Sequence, residues 1–103
     1  MERLNYNEWT MSGSVDYIKV LDVTNEFSAS VKLMGTSRRK NANSSQRVEF
    51  TCLMEQDTYD EAVKKGLDKF KWVTLSGHVE TWYKTDGTPK IRYVCDDILE
   101  VCK

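Results

Sequence analysis

The chain has 103 residues, 40% apolar and 30% charged, with a formal net charge of −1. That is the size of one small domain with a modest core, and a near-neutral chain has no overall pull on polyanions, so a nucleic-acid site would have to arise from local clustering. No apolar run approaches the ~20 residues of a membrane helix, and MERLNYNEW lacks the basic-then-apolar order of a secretory signal.

Residues 1 to 8 form a polar lead-in. From Trp9 to Val23 the pattern is that of a strand, with Trp9, Met11, Gly13 and Val15 alternating and Gly13 suiting a bend that lets one strand serve two sheets. Asp22 to Asn25 reads as a turn. Phe27, Ala29, Val31 and Leu33 alternate with Ser28, Ser30, Lys32 and Met34 as a second strand. Gly35 to Gln46 is a polar loop with a basic cluster at Arg38, Arg39 and Lys40. A third strand follows, with Val48, Phe50, Cys52 and Met54 on the core face and Arg47, Glu49, Thr51 and Leu53 opposite.

One helix is predicted. Asp57 or Thr58 would cap it, Glu61 would complete a capping box with Thr58, and it would end near Asp68 to Lys71. Tyr59, Ala62, Val63, Gly66, Leu67 and Phe70 fall near one face. From Lys71 to Val101 the chain reads as a long hairpin. Val73, Leu75, Gly77 and Val79 face one way, and Thr74, Ser76, His78 and Glu80 the other. Asp86-Gly87 makes the turn, Pro89 forbids a helix, and Ile91, Tyr93 and Cys95 resume the alternation.

Three strands, a helix and two strands is the order of an all-β, five-stranded OB-fold, a Greek-key barrel with one helix between strands 3 and 4. Closure would remove edges that a sheet this small cannot otherwise hide. An open α+β sheet is the competing architecture, and the long glycine-centred first strand fits it less well. OB barrels bind ligands on the face of strands 2 and 3 and on the loops between strands 1–2 and 4–5. On single strands, a basic groove follows the phosphates and aromatic rings stack on bases. The candidate residues here are Lys32, Arg38, Arg39, Lys40 and Arg47 around strands 2 and 3. Trp82, Tyr83, Lys84, Lys90 and Arg92 are the candidates on the last hairpin.

The segments MSGSV (11–15), FSASVKL (27–33), RVEFTCLM (47–54), YDEAVKKGL (59–67), WVTLSGHVETWYKTDG (72–87) and IRYVCDDILEV (91–101) carry a resemblance. In this order they resemble the DNA-binding domain of the bacterial and phage single-stranded-DNA-binding protein family, over nearly the whole chain. The resemblance implies an OB barrel that works as a dimer or tetramer. It would coat single-stranded DNA without sequence preference in replication, recombination and repair, within the cytoplasm and with replication or recombination proteins as further partners. Two departures stand out. Family members place stacking aromatics in the third strand, where this chain offers only Phe50 on its core face. They also usually add an acidic tail with an apolar end. The chain stops at Lys103 without one, which fits either a removed tail or a short relative such as the dimeric primosomal replication protein.

Each candidate has an ordinary structural role to set beside the functional one. The Arg38–Lys40 run is also what a solvated loop looks like. Trp82 lies opposite the Val73–Leu75–Val79 face and is the favoured stacking residue. Trp9 and Trp72 are expected at the barrel end or in an oligomer contact, Tyr93 on the core side, and His78 on the surface. The three cysteines, Cys52, Cys95 and Cys102, lack metal-site spacing and read as reduced, mostly buried residues. No cofactor, metal site or acid–base carboxylate pair is expected. The reading is therefore of a binding module. A protein-interaction OB-fold, such as a primosomal or mobile-element accessory subunit, is the alternative, and an OB-fold nuclease comes third.

Overall fold

The alternation read in the sequence becomes five strands and one helix: β1 Trp9–Val20, β2 Ala29–Ser37, β3 Gln46–Met54, α1 Gln56–Lys64, β4 Trp72–Tyr83 and β5 Pro89–Val101. The computed structural model describes residues 7–37, 40–41 and 43–102. The strands close into a barrel in the order β1-β2-β3-β5-β4. Every ladder is antiparallel except β3 with β5, which run parallel and meet at Leu53 and Val94.

β1 does serve two neighbours. Trp9 to Ser14 pair with β4, and Ser14 to Val20 with β2. The register slips between Val15 and Tyr17, so the bulge lies at Asp16 and not at Gly13. Gly13 has another task. A Cβ there would lie 2.7 Å from the Met34 carbonyl oxygen, so the glycine lets β1 and β2 approach as the sheet curls. Gly77 is still more constrained, because its Cβ would fall 1.8 Å from the Val94 carbonyl oxygen.

Inward side chains from all five strands fill the barrel. Val15, Val31, Leu33, Cys52, Val73, Leu75, Cys95 and Ile98 are all buried, and Met54 joins them at the end that α1 covers. Removing such side chains from water is the main favourable contribution to folding. Tyr93 and Ile91 share the inward parity of Cys95 but lie beyond the barrel. Ile91 is 63% exposed and Tyr93 38%, so the expected core role of Tyr93 reduces to an edge contact.

The helix differs from expectation at both ends. It starts one residue after the β3 strand closes, with Glu55 as N-cap and no side-chain cap bond, and Asp57 lies in its first turn. The start is held from outside instead: Ser28 Oγ donates to Gln56 Oε1, and Gln56 Nε2 donates to Asp60 Oδ1. It ends at Lys64 with Lys65 as C-cap, and the next residue, Gly66, takes a left-handed φ of 98°. The Gly66 N–H donates to the Val63 carbonyl and the Leu67 N–H to the Ala62 carbonyl, the paired bonds of a Schellman cap. Phe70 therefore falls outside the helix and stands exposed.

Candidate nucleic-acid interface

The β4–β5 hairpin outruns the barrel. Its pairing continues to Tyr83 opposite Pro89, and every residue from Thr81 to Ile91 is exposed. The tip is built by its sequence. Asp86 Oδ1 accepts the Thr88 N–H at 2.8 Å, and Gly87 takes φ 86° and donates its N–H to the Lys84 carbonyl. The result is a ribbon with two faces. Trp82 sits opposite Lys90 and Glu80 opposite Arg92 on one face, while Tyr83, Pro89 and Ile91 share the other. Neighbours on a strand point to opposite faces, which in a strand covering a core would turn only one of Trp82 and Tyr83 outward. Both do, at 41% and 68% exposure, because neither face of the projecting ribbon has a core to cover.

Where the arm leaves the barrel, a chain of charges fixes it. His78 Nδ1 lies 2.7 Å from Asp96 Oδ2, and Nε2 lies 2.6 Å from Glu80 Oε2. Both partners only accept, so both ring nitrogens carry hydrogens when both bonds form. The hydrogen bond to Asp96, then that to Glu80, raises the His78 pKa. Glu80 is lowered in turn by His78 and then by Arg92. Arg92 donates from Nε and NH2 to Glu80 Oε1, reaches Glu26 at 3.3 Å, and lies over the Phe27 ring at 4.8 Å. The network ties both strands of the arm to the loop between β1 and β2. Arg92 is thus engaged at the root of the arm, whereas Lys84 and Lys90 stand exposed along it.

The inner side of the arm meets the barrel through aromatic rings. Phe50 packs between Trp9 and Tyr93, each at 4.8 Å between ring centroids, and the Trp9 indole N–H donates to the His78 carbonyl. Trp9 is thus barrel-end packing, as expected.

The outward face of β1, β2 and β3 forms the floor. Cross-strand pairing sets Tyr17 beside Lys32 and Thr51, Ser14 beside Met34 and Glu49, and Thr36 beside Arg47. Lys32 is half-buried and shared between Asp16 at 3.7 Å and Glu49 at 3.4 Å. Arg47 is exposed on the same face, and Lys40 is exposed on the loop above it. Arg38 and Arg39 lie outside the described residues. The structure thus gathers Lys32, Arg47 and Lys40 on one side and Trp82, Tyr83, Lys84 and Lys90 on the arm.

Trp72, expected at the barrel end or in an oligomer contact, has the same strand parity as Trp82. In the structure it pairs with Ser14 at the β1 margin of the floor and is 48% exposed. Phe70, expected on the helix, is 75% exposed beside it. The repeated Lys-aromatic pattern of Lys69 to Trp72 was the signal available.

The thiols bear out their reading as buried residues in two of three cases, Cys52 and Cys95, with Cys102 half-buried. Hydrogen bonding to Cys95, and then burial, pushes the Cys52 thiol far up, so it stays protonated. Among the described residues no group of His, Cys, Asp or Glu is arranged to hold a metal ion.

No protein-family model matches the chain, and no curated protein matches its sequence. Solved structures do match in fold. A small single-stranded DNA binding protein from Mycoplasma pneumoniae superposes with a TM-score of 0.65 at 12% identity, over 93% of this chain and 94% of the other. The Plasmodium falciparum SSB, solved in complex with ssDNA, gives 0.60 at 20% identity, over 93% and 91%. A small single-stranded DNA-binding protein from Streptomyces coelicolor gives 0.58 at 18%, over 96% and 94%. The five-stranded closed barrel expected from the sequence is the fold these proteins share.

Proposed function

We propose that the chain is a non-catalytic, largely sequence-independent binder of single-stranded DNA, serving replication, recombination or repair. The observation that carries this is the projecting β4–β5 arm, which holds Trp82 and Tyr83 in solvent with the exposed Lys84 and Lys90 beside them. An exposed ring costs free energy in water, and a nucleobase can cover it; each stacked base contributes about 1–3 kcal/mol. The neighbouring lysines would neutralise phosphates and release counterions, which makes binding weaken as salt rises. The floor of β1–β3, with Arg47 and Lys40 at one end, supplies a path beside the arm along which a single strand can lie. The three structural neighbours carry names of single-stranded DNA-binding proteins, which supports the same reading. Family resemblance adds that the working form is a dimer or tetramer.

Titration with oligo-dT tests the proposal. Tryptophan fluorescence should be quenched, with the affinity falling as salt increases. Trp82→Ala should weaken binding by about 1–3 kcal/mol. Absence of both quenching and a mobility shift at low salt would refute the function, and tight capture of a protein partner by a chain that ignores DNA would replace it.

A further inference from the structure

The segment from Lys69 to Trp72 carries two features that the free fold does not favour. Phe70 adopts φ 70°, a left-handed conformation that aromatic residues avoid. The strained backbone is held by two strand-like bonds, with the Phe70 N–H donating to the Val15 carbonyl and the Val15 N–H to the Lys71 carbonyl. Yet the ring that this backbone carries is 75% exposed, and Trp72 beside it is 48% exposed. Together with Lys69, Lys71 and Cys102 they line a shallow hollow of about 430 Å³.

Among the described residues the lining contains two rings, two cations, a thiol and no carboxylate. Glu100, at the rim, accepts the Cys102 Sγ–H at 3.3 Å. A second copy of the chain is a poor occupant. A twofold interface sets a patch against itself, so the Lys69 and Lys71 pairs would face each other. A flat, anionic ligand complements rings and lysines at once. The hollow also continues the floor, because Trp72 lies across Ser14 from Met34 and is separated from Trp82 by most of β4, about 33 Å at 3.3 Å per residue. Since the barrel is closed, the two tryptophans flank the outward face of β3, β2 and β1 from opposite margins.

We infer that the Phe70–Trp72 hollow is a second stacking site for the same single strand, so that the strand crosses the β1–β3 floor from the arm to the start of β4. The inference rests on the proposed DNA-binding function and adds a site and a direction to it.

Cys102 reports on the hollow, since the other two thiols are buried. Its alkylation by iodoacetamide at mildly alkaline pH, read by mass spectrometry on the wild-type chain, is compared in three states: alone, with oligo-dT of about 16 nucleotides, and with dTMP at equal nucleotide concentration. The oligonucleotide should slow the reaction about tenfold or more, and dTMP should not. Trp72→Ala should bind the oligonucleotide roughly five- to a hundredfold more weakly, the effect of losing one stacked base. If the oligonucleotide binds and Trp82→Ala weakens it, while Cys102 keeps its rate and Trp72→Ala binds like wild type, the hollow is off the path. The second site is then wrong and the DNA-binding function stands. If wild type binds no oligonucleotide, both fall. Protection by dTMP alone would make the hollow a nucleotide pocket. Protection that grows with protein concentration without DNA would give it to a second copy. Either result overturns the inference. A Trp72 variant that fails to fold leaves the wild-type protection measurement to decide.

Discussion

Gly77 shows how much one missing side chain can determine. Its β5 neighbour across the ladder is Cys95, and the bulge in β5 brings the Val94 carbonyl to where a Cβ would stand. The clash is with backbone, which cannot swing away, and Trp9 Cζ2 closes the other side at 2.8 Å. Gly77→Ala should therefore cost about 3 kcal/mol or more, seen as a lowered urea midpoint. Phe70 is the opposite case. Left-handed φ costs an aromatic residue about 1–2 kcal/mol, and glycine is free of that cost. Phe70→Gly is expected to add about 1 kcal/mol of stability, seen as a higher urea midpoint, while weakening oligonucleotide binding, and a variant that lost stability would show that the ring packs usefully in the free protein.

At the scale of elements, the arm and its root behave differently. The ribbon from Thr81 to Ile91 touches water on both faces, so side-chain mutations outside its Asp86-Gly87 turn should move affinity and leave stability within about 0.5 kcal/mol. The root is a charge network, and it titrates. His78 has a raised pKa, so its contribution is fully present below its unfolded value of about 6.5 and is lost as pH rises through the higher folded value. Glu80 is lowered, so its contribution is present above about 4.3 and lost as pH falls through the lower folded value. Both terms are complete between those two ordinary values. Stability measured from pH 6 to pH 9 should therefore decline, and His78→Gln should flatten that decline. An unchanged slope in the variant would show that the imidazolium bridge does not form in solution.

For the whole molecule, the near-zero net charge means that affinity must come from where the cations sit. Lys32 and Arg92 are held by carboxylates, whereas Lys84, Lys90 and Arg47 are exposed. The salt dependence should follow this division. Lys90→Ala should reduce the slope of log K against log salt by about 0.7, the value of one phosphate contact on a single strand. Lys32→Ala should change it less, since its charge is already shared with Asp16 and Glu49.

The alternation of Phe27 to Met34 and of Val73 to Val79, the turn at Asp86-Gly87 and the helical spacing around Tyr59 and Ala62 were legible one residue at a time, because burial on one face writes a period into the chain. Their order was enough for the barrel. Three things were not legible. The helix ended at Lys64 because a left-handed Gly66 closed it, although the apolar spacing ran on to Phe70. His78 looked like an isolated surface residue, since Asp96 comes to it only through a bulged antiparallel ladder. Trp72 and Trp82 share a parity in the sequence, which says that they face the same way along β4 but not what lies between them. Periodicity reports whether a side chain is turned toward a core. Only closure of the barrel decides which outward residues become neighbours, because those distances are set by strand order and register across segments far apart in the chain.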